Sequence, residues 1–267
     1  MAQGLQIAGA RTLITGASGG IGAALARRLR ADGAELILTG RRSEILEELA
    51  AELGGTAIVC DLIDPEAPGR LLSEAGRVDI LVANAALPAS GRLATLDPAR
   101  LDGAIAVNLR APMALAHGLL AQMSARGAGH MVFIGSLQSR AATVGASVYT
   151  ATKFGLRGFA LSLRADLAGS GIGISHVMPG FVSDAGLNAD SGVKLPPWIG
   201  TRRPDQVAEA VLDAIRNNRG EVEVAPLPLR AGTAIAALAP EFSARAARLL
   251  GADRIAGEFE RGQADKR

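Results

Sequence analysis

Thr15-Gly16-Ala17-Ser18-Gly19-Gly20-Ile21-Gly22 follows a short apolar run, Arg11–Thr15, and opens a helical pattern, Gly20–Asp32. Glycine lacks a Cβ, so a turn of this composition can be tight and can approach a pyrophosphate closely. The N–H groups at the start of the following helix then face the anion. Gly16, Ser18, Gly19, Gly20, Ile21 and Gly22 are the candidate cradle. The spacing is Thr-Gly-x-x-x-Gly-x-Gly, not Gly-x-Gly-x-x-Gly, and the absence of Gly-Lys-Ser/Thr after it excludes a P-loop. For these residues alone, a purely structural glycine-rich turn is the alternative.

On either side of the turn the same alternation continues. Arg11–Thr15, Glu35–Thr39, Thr56–Cys60, Asp79–Ala83, His130–Gly135, Gly173–Met178 and Glu221–Ala225 read as strands. Gly20–Asp32, Ser43–Leu53, Pro65–Ala75, Pro98–Arg126, Ser147–Ser170 and Pro204–Asn217 carry apolar residues at helical spacing. Strands buried on both faces and separated by helices predict an α/β fold: a doubly wound parallel sheet of about seven strands, helices on both faces. The 267 residues suit one domain, 1–267. Pro179 to Arg203 breaks the rhythm with glycines, prolines and the sole tryptophan, Trp198, and a loop of that length predicts a substrate lid at about 184–203. A C-terminal extension, 226–267, contains an alanine-rich stretch and a basic helix, Glu241–Leu250; packing over the pocket or against a subunit is favoured over a membrane surface.

Hydrophobic residues make up 49% and charged ones 20%, enough for a sizeable core. A formal charge of +2 gives no footprint for nucleic acid. Cys60 is the only cysteine, which rules out an intrachain disulfide and suits a reducing, cytoplasmic setting. The start, MAQGLQIAGARTLIT, has no basic stretch followed by an apolar core, so no secretory signal is expected. No transmembrane segment is expected either, the best apolar run, Ala231 to Ala239, being too short. His117, His130 and His176 lack metal-ligand spacing, so no metal site is expected.

Two further patterns carry chemistry. At the end of the second strand, where an NAD site wants a carboxylate for the ribose 2′-hydroxyl, the run is Leu38-Thr39-Gly40-Arg41-Arg42. Two guanidiniums suit a 2′-phosphate, so NADP is expected over NAD. Tyr149, the only tyrosine, stands four positions before Lys153, one of three lysines among 28 basic residues. On a helix both side chains share a face. An adjacent ammonium would lower the phenol's pKa toward working pH, making a general acid/base. A chance surface pair is the alternative for these two residues alone.

Taken together, the turn, the arginines and Tyr-x-x-x-Lys resemble the short-chain dehydrogenase/reductase family in its single-domain, Rossmann-like form, from about Arg11 to Ala225. The resemblance implies that Asp61, with Leu62, contacts adenine, and that Asn84 in Val82-Ala83-Asn84-Ala85-Ala86 matches the second asparagine of the family's Asn-Asn-Ala-Gly, with Ala83 and Ala86 departing from it. It implies a catalytic set of Asn108, Ser136, Tyr149 and Lys153, Ser136 standing thirteen residues before Tyr149. Pro179-Gly180 matches the Pro-Gly after strand six, Val182 follows it at the cofactor, and Asp184 replaces a threonine the family normally uses there. Tyr149 and Lys153 would also touch the nicotinamide ribose.

These residues imply hydride transfer between NADP and a carbonyl/alcohol carbon: Ser136 and Tyr149 bind the oxygen, Tyr149 donates the proton, and Asn108 holds a water leading from Lys153 to solvent. Leu87, Leu137, Val144, Phe181 and Val182, under Leu187, Leu195 and Trp198, would line an apolar pocket for a lipophilic small molecule; packing against one another in the core is the alternative. The long helices 98–126 and 147–170 offer a surface for a homodimer or homotetramer. The rival reading is an NADP-binding sensor or scaffold without turnover.

Overall fold

The computed structural model describes residues 4–183 and 200–249, together with Gly257. Seven strands form one parallel sheet: β1 Arg11–Thr15, β2 Glu35–Gly40, β3 Thr56–Val59, β4 Ile80–Ala83, β5 Gly129–Ile134, β6 Ile172–Pro179 and β7 Glu221–Val224. Their order is β3-β2-β1-β4-β5-β6-β7. β1 pairs with both β2 and β4, so the chain reverses its direction of winding between β1 and β4, where Ile14 faces Val82. Ligands of open α/β sheets bind in the crevice above such a switch point, at the carboxyl ends of the strands.

The helices cover both faces. On one side α1 (Gly20–Ala31), α2 (Ser43–Leu53) and α7 (Pro204–Arg216) bury Leu25, Leu29, Leu46, Val207 and Val211 against Ile14, Leu36, Val82 and Val177. On the other, α3 (Ala67–Ala75), α5 (Ala111–Arg126) and α6 (Ser147–Asp166) bury Leu71, Leu115, Leu119 and Leu156 against Leu13, Leu81, Met131 and Phe133. The central strands are therefore buried on both faces, as in Ile80–Ala83, where every residue is buried.

The expected helix 98–126 is interrupted. α4 (Pro98–Ile105) passes into a π turn, Ala106–Arg110, before α5 begins. Pro112 has no N–H to offer the Asn108 carbonyl four residues earlier, so regular α-helical bonding cannot run through this point. Such π bulges are frequent at functional sites.

Two further differences concern apolar helices. By length and composition the stretch Pro98–Arg126 could cross a membrane, contrary to the expectation that Ala231–Ala239 was the best candidate, and 50% of its apolar window is buried in this fold. Here Ala111, Leu115, Leu119 and Met123 form part of the core. The C-terminal extension forms α8 (Leu227–Leu238) and α9 (Pro240–Leu249). α8 buries no residue, and Leu227, Ile235 and Leu238 are exposed. Arg230 ties it to Glu223 on β7 at 3.1 Å.

Candidate active site

The glycine turn lies at the switch point. Gly16 has a φ of +66°, and a Cβ there would stand 2.8 Å from the Ala85 Cα, so only glycine allows β1 and the loop after β4 to approach this closely. A Cβ on Gly22 would strike the Gly16 carbonyl oxygen at 2.2 Å. Asn84 holds the turn from the β4 side: its Nδ2 donates to the carbonyls of Thr15 at 3.0 Å and Gly16 at 3.2 Å. The Thr15 hydroxyl accepts the N–H groups of Asn84 and Ala85, each at 3.0 Å. Asn84 therefore shapes the cradle with its side chain.

α1 starts at Gly20 with no side-chain cap and no acid in its first turn. Its leading N–H groups have no intrahelical partners, and its positive end lacks a neutralising carboxylate. That is the donor set a pyrophosphate needs, so the residues present fit a dinucleotide. Ser18, Gly19 and Ile21 are half-buried around this opening and Gly20 is exposed.

The β2 tip packs directly on the turn. A Cβ on Gly40 would meet the Ser18 hydroxyl at 2.8 Å, and the Arg42 guanidinium donates to the Ser18 carbonyl. Arg41 and Arg42 are both exposed beside this contact, with no carboxylate in the run Leu38–Arg42. Beyond β3, the Asp61 carboxylate accepts the Ile63 N–H at 3.1 Å and faces solvent. Leu62 is buried in the core, which leaves only its backbone for a ligand.

Asn108, in the π turn, is 1% exposed and its side chain is fully occupied. Oδ1 accepts the Leu87 N–H at 2.7 Å, and Nδ2 donates to the Leu87 carbonyl at 2.9 Å. Nδ2 also lies 3.4 Å from the Thr152 hydroxyl, which donates to the Tyr149 carbonyl at 2.7 Å. The asparagine thus joins the loop after β4 to the first turn of α6.

Ser136 follows β5 and starts a short 3₁₀ turn, Leu137–Ser139. Its Oγ accepts the Gln138 N–H at 3.1 Å, and Gln138 is fixed in turn by the Thr150 hydroxyl, which donates to its Oε1 at 3.1 Å. The Ser136 hydroxyl is near enough to the Tyr149 phenol to draw its pKa down. The Tyr149 ring packs against Ala89, Ala104 and Val148. One turn on, the Lys153 ammonium is 2% exposed, donates to the Ile134 carbonyl at 2.9 Å and lies 5.6 Å from the Tyr149 ring centroid.

The electrostatics differ from the sequence-based expectation. Burial pushes the Tyr149 phenol up to about 12, with the nearby Ser136 hydroxyl drawing it down. Burial also pulls the Lys153 ammonium down to about 8. Desolvation disfavours the charged form of each, and here it outweighs the lysine's attraction for a phenolate. At neutral pH the pair is a neutral phenol above an ammonium.

At the end of β6, Pro179 is buried and the Gly180 N–H donates to the Val224 carbonyl at 3.0 Å. A Cβ on Gly180 would meet the Ala225 Cβ at 3.0 Å and Leu137 at 3.2 Å, a close approach that a side chain would crowd. Val182 bridges to Arg202, and its side chain belongs to the main core, not to a pocket wall. Leu137 is buried too, whereas Leu87, Val144 and Phe181 are half-buried. Asp184, Leu187, Leu195 and Trp198, with most of the expected lid, lie outside the described residues. Among the described residues no group of three or more His, Cys, Asp or Glu could hold a metal ion.

Sequence reading missed Gln138, Ser139, Thr150 and Thr152, the side chains that fix Ser136 and Tyr149. Their pattern in the chain is unremarked polar residues near the reactive ones, and only the fold shows whom they bind.

The model of the short chain dehydrogenase family matches residues 10–194. The ketoacyl reductase HetN of Nostoc sp. is 34% identical over 232 residues, covering 84% of this chain and 81% of its own. A short-chain dehydrogenase from Sphingobium yanoikuyae in complex with NADPH superposes with a TM-score of 0.75 at 29% identity, covering 88% of this chain and 95% of that one. The bulky-bulky ketone specific alcohol dehydrogenase from Comamonas testosteroni does so with a TM-score of 0.71 at 27% identity, over 80% and 85%. The chain belongs to the short-chain dehydrogenase/reductase family. It is an NAD(P)-dependent oxidoreductase acting on CH–OH groups.

Proposed function

We propose that the protein is an NADPH-dependent reductase of a lipophilic ketone or aldehyde, with Tyr149 as the proton donor. The observation that carries this reading is the buried Lys153 ammonium, bonded to the Ile134 carbonyl at 2.9 Å and 5.6 Å from the Tyr149 ring centroid, with Ser136 two residues beyond Ile134. A bound nicotinamide dinucleotide supplies the hydride. Gly16, Ser18, Gly19, Gly20, Ile21 and Gly22 would hold its pyrophosphate, Arg41 and Arg42 a 2′-phosphate, and Asp61 with the Leu62 backbone the adenine. Asn84, Pro179, Gly180 and Val182 shape the floor on which it lies.

The substrate's oxygen accepts hydrogen bonds from the Ser136 hydroxyl and the Tyr149 phenol, which stabilise the negative charge that develops there. Tyr149 is protonated throughout the physiological range, the form that reduction requires. As its proton leaves, the Lys153 ammonium stabilises the phenolate. The Asn108 side chain is spent on Leu87, so its backbone carbonyl, which Pro112 cannot bond, is the group left to hold a water between Lys153 and solvent.

NADP is favoured over NAD because the β2 tip offers two guanidiniums and no carboxylate. A lipophilic substrate is favoured by the apolar, half-buried side chains of Leu87, Val144 and Phe181. A homodimer or homotetramer would cover Met113, Phe154 and Leu161, exposed apolar residues on α5 and α6. Residues 1–267 act as one unit in a cytoplasmic setting that keeps Cys60 reduced.

The test is NADPH oxidation against a panel of aliphatic and aromatic ketones, aldehydes, quinones and 3-oxoacyl thioesters, repeated with NADH. Turnover of an apolar ketone or aldehyde with a preference for NADPH is expected. No turnover of any member, or a preference for NADH, would contradict the proposal.

A further inference from the structure

His176 lies on β6 with none of its surface exposed. Its imidazole sits against the end of β5, where a Cβ on Gly135 would stand 2.2 Å from Nε2. That short stretch carries both the Ile134 carbonyl, which accepts the Lys153 ammonium at 2.9 Å, and Ser136. Nε2 lies 3.5 Å from the Ser139 hydroxyl, and the same Ser139 Oγ accepts the Ser136 N–H at 3.3 Å. Ser139 is fully buried, so its hydroxyl acts on the protein and not on a substrate.

We propose that His176 is a positioning residue for the reaction: as a neutral imidazole it holds Ser139 and the end of β5, and so sets the spacing of Ser136 from Lys153. The inference rests on the functional reading given above for those two residues. With the Ser139 O–H donating to Nε2, the ring proton sits on Nδ1, which has no hydrogen-bond partner and lies 3.8 Å from the Glu221 carboxylate. Glu221 is itself held by Arg157 of α6 at 2.6 Å. The charged groups facing the ring are thus Lys153 and Arg157 from α6 and Glu221 from β7. Burial and the two cations keep the imidazole neutral at working pH, down to about 4. A charged group in its place would repel Lys153, and an apolar one would leave the Ser139 hydroxyl without an acceptor.

The test compares Ser139→Ala, His176→Val, His176→Gln and the double variant Ser139→Ala/His176→Val. It uses the best ketone of the panel with saturating NADPH, and Tyr149→Phe as a control. Misplacement of the reacting groups should lower kcat about tenfold in Ser139→Ala and in His176→Val, with the dissociation constant for NADPH little changed. The double variant should lose no more than the worse single one, because both act through one contact. His176→Gln, whose amide oxygen can accept from Ser139, should recover much of the loss. Wild-type kcat in Ser139→Ala and His176→Val, losses that multiply, or an effect confined to KM would overturn the inference. If His176→Val does not fold, Ser139→Ala, which removes a single oxygen, decides alone. A Tyr149→Phe enzyme with full turnover would overturn the functional reading itself; an inactive one beside unaffected Ser139 and His176 variants would overturn only the positioning role.

Discussion

The Lys153 ammonium and the Ile134 carbonyl are joined by a buried hydrogen bond of 2.9 Å, which anchors α6 to the end of β5. Ser136 is two residues beyond Ile134 and Tyr149 one helical turn before Lys153, so this bond fixes the distance between the two groups that would bind a carbonyl oxygen. It also makes the lysine's charge state a structural matter.

Lys153 should therefore set the alkaline limb of reduction. Its pKa is lowered to about 8 while that of Tyr149 is raised to about 12. Reductive kcat is expected to stay level from pH 6 to about 7.5 and to fall above 8, as the ammonium is lost while the phenol keeps its proton. A kcat that continued to rise to pH 10 would contradict this assignment.

Asn108→Ala should loosen the loop after β4. The substitution leaves the N–H and carbonyl of Leu87 without their partners at 2.7 and 2.9 Å. Unpaired backbone groups at a part-buried position cost about 2 kcal/mol. Urea unfolding should show that loss, and kcat should fall with it. Asn108→Asp keeps the acceptor for the Leu87 N–H and should recover part of the stability.

How far this site could be read from the chain depends on the range of the contacts. The glycine turn, the strand runs and the pairing of Tyr149 with Lys153 are local patterns, and each stands in the structure where the pattern put it. The π turn was not read from 98–126, whose apolar spacing looks continuous; Pro112 four residues after Asn108 was the available signal. The links from Thr150 to Gln138 and from His176 to Ser139 were invisible because each joins residues well separated in sequence. The direction of the Tyr149 shift was also out of reach, since it depends on how much water the fold removes, which no spacing reports.

Cofactor preference should follow the arginines at the β2 tip. Arg41→Ala and Arg42→Ala together should raise KM for NADPH by about tenfold or more, the loss of charge-assisted phosphate contacts, and leave KM for NADH unchanged. Equal effects on both cofactors would place the 2′-phosphate elsewhere. Because Arg42 also donates to the Ser18 carbonyl, its substitution also disturbs the turn.

Acid sensitivity should come from two buried histidines. His130 is lowered to about 3 and His176 to about 4, chiefly by burial. Their folded pKa values lie below the ordinary value of 6.5, so between there and pH 4 the unfolded chain binds more protons than the folded one. Stability from both groups is full above pH 6.5 and is lost as pH falls, by about 1.4 kcal/mol per unit for each histidine. Urea midpoints from pH 7.5 to 5 should therefore drop in the wild type and drop less in His130→Gln.

The most direct measurement is a rapid-mixing comparison of wild type and Tyr149→Phe, following NADPH absorbance with the best ketone of the panel. Loss of the phenolic proton should slow hydride transfer by about 10²–10⁴-fold, while NADPH binds both proteins alike. Hydride transfer at the wild-type rate in Tyr149→Phe would show that the proton comes from another group.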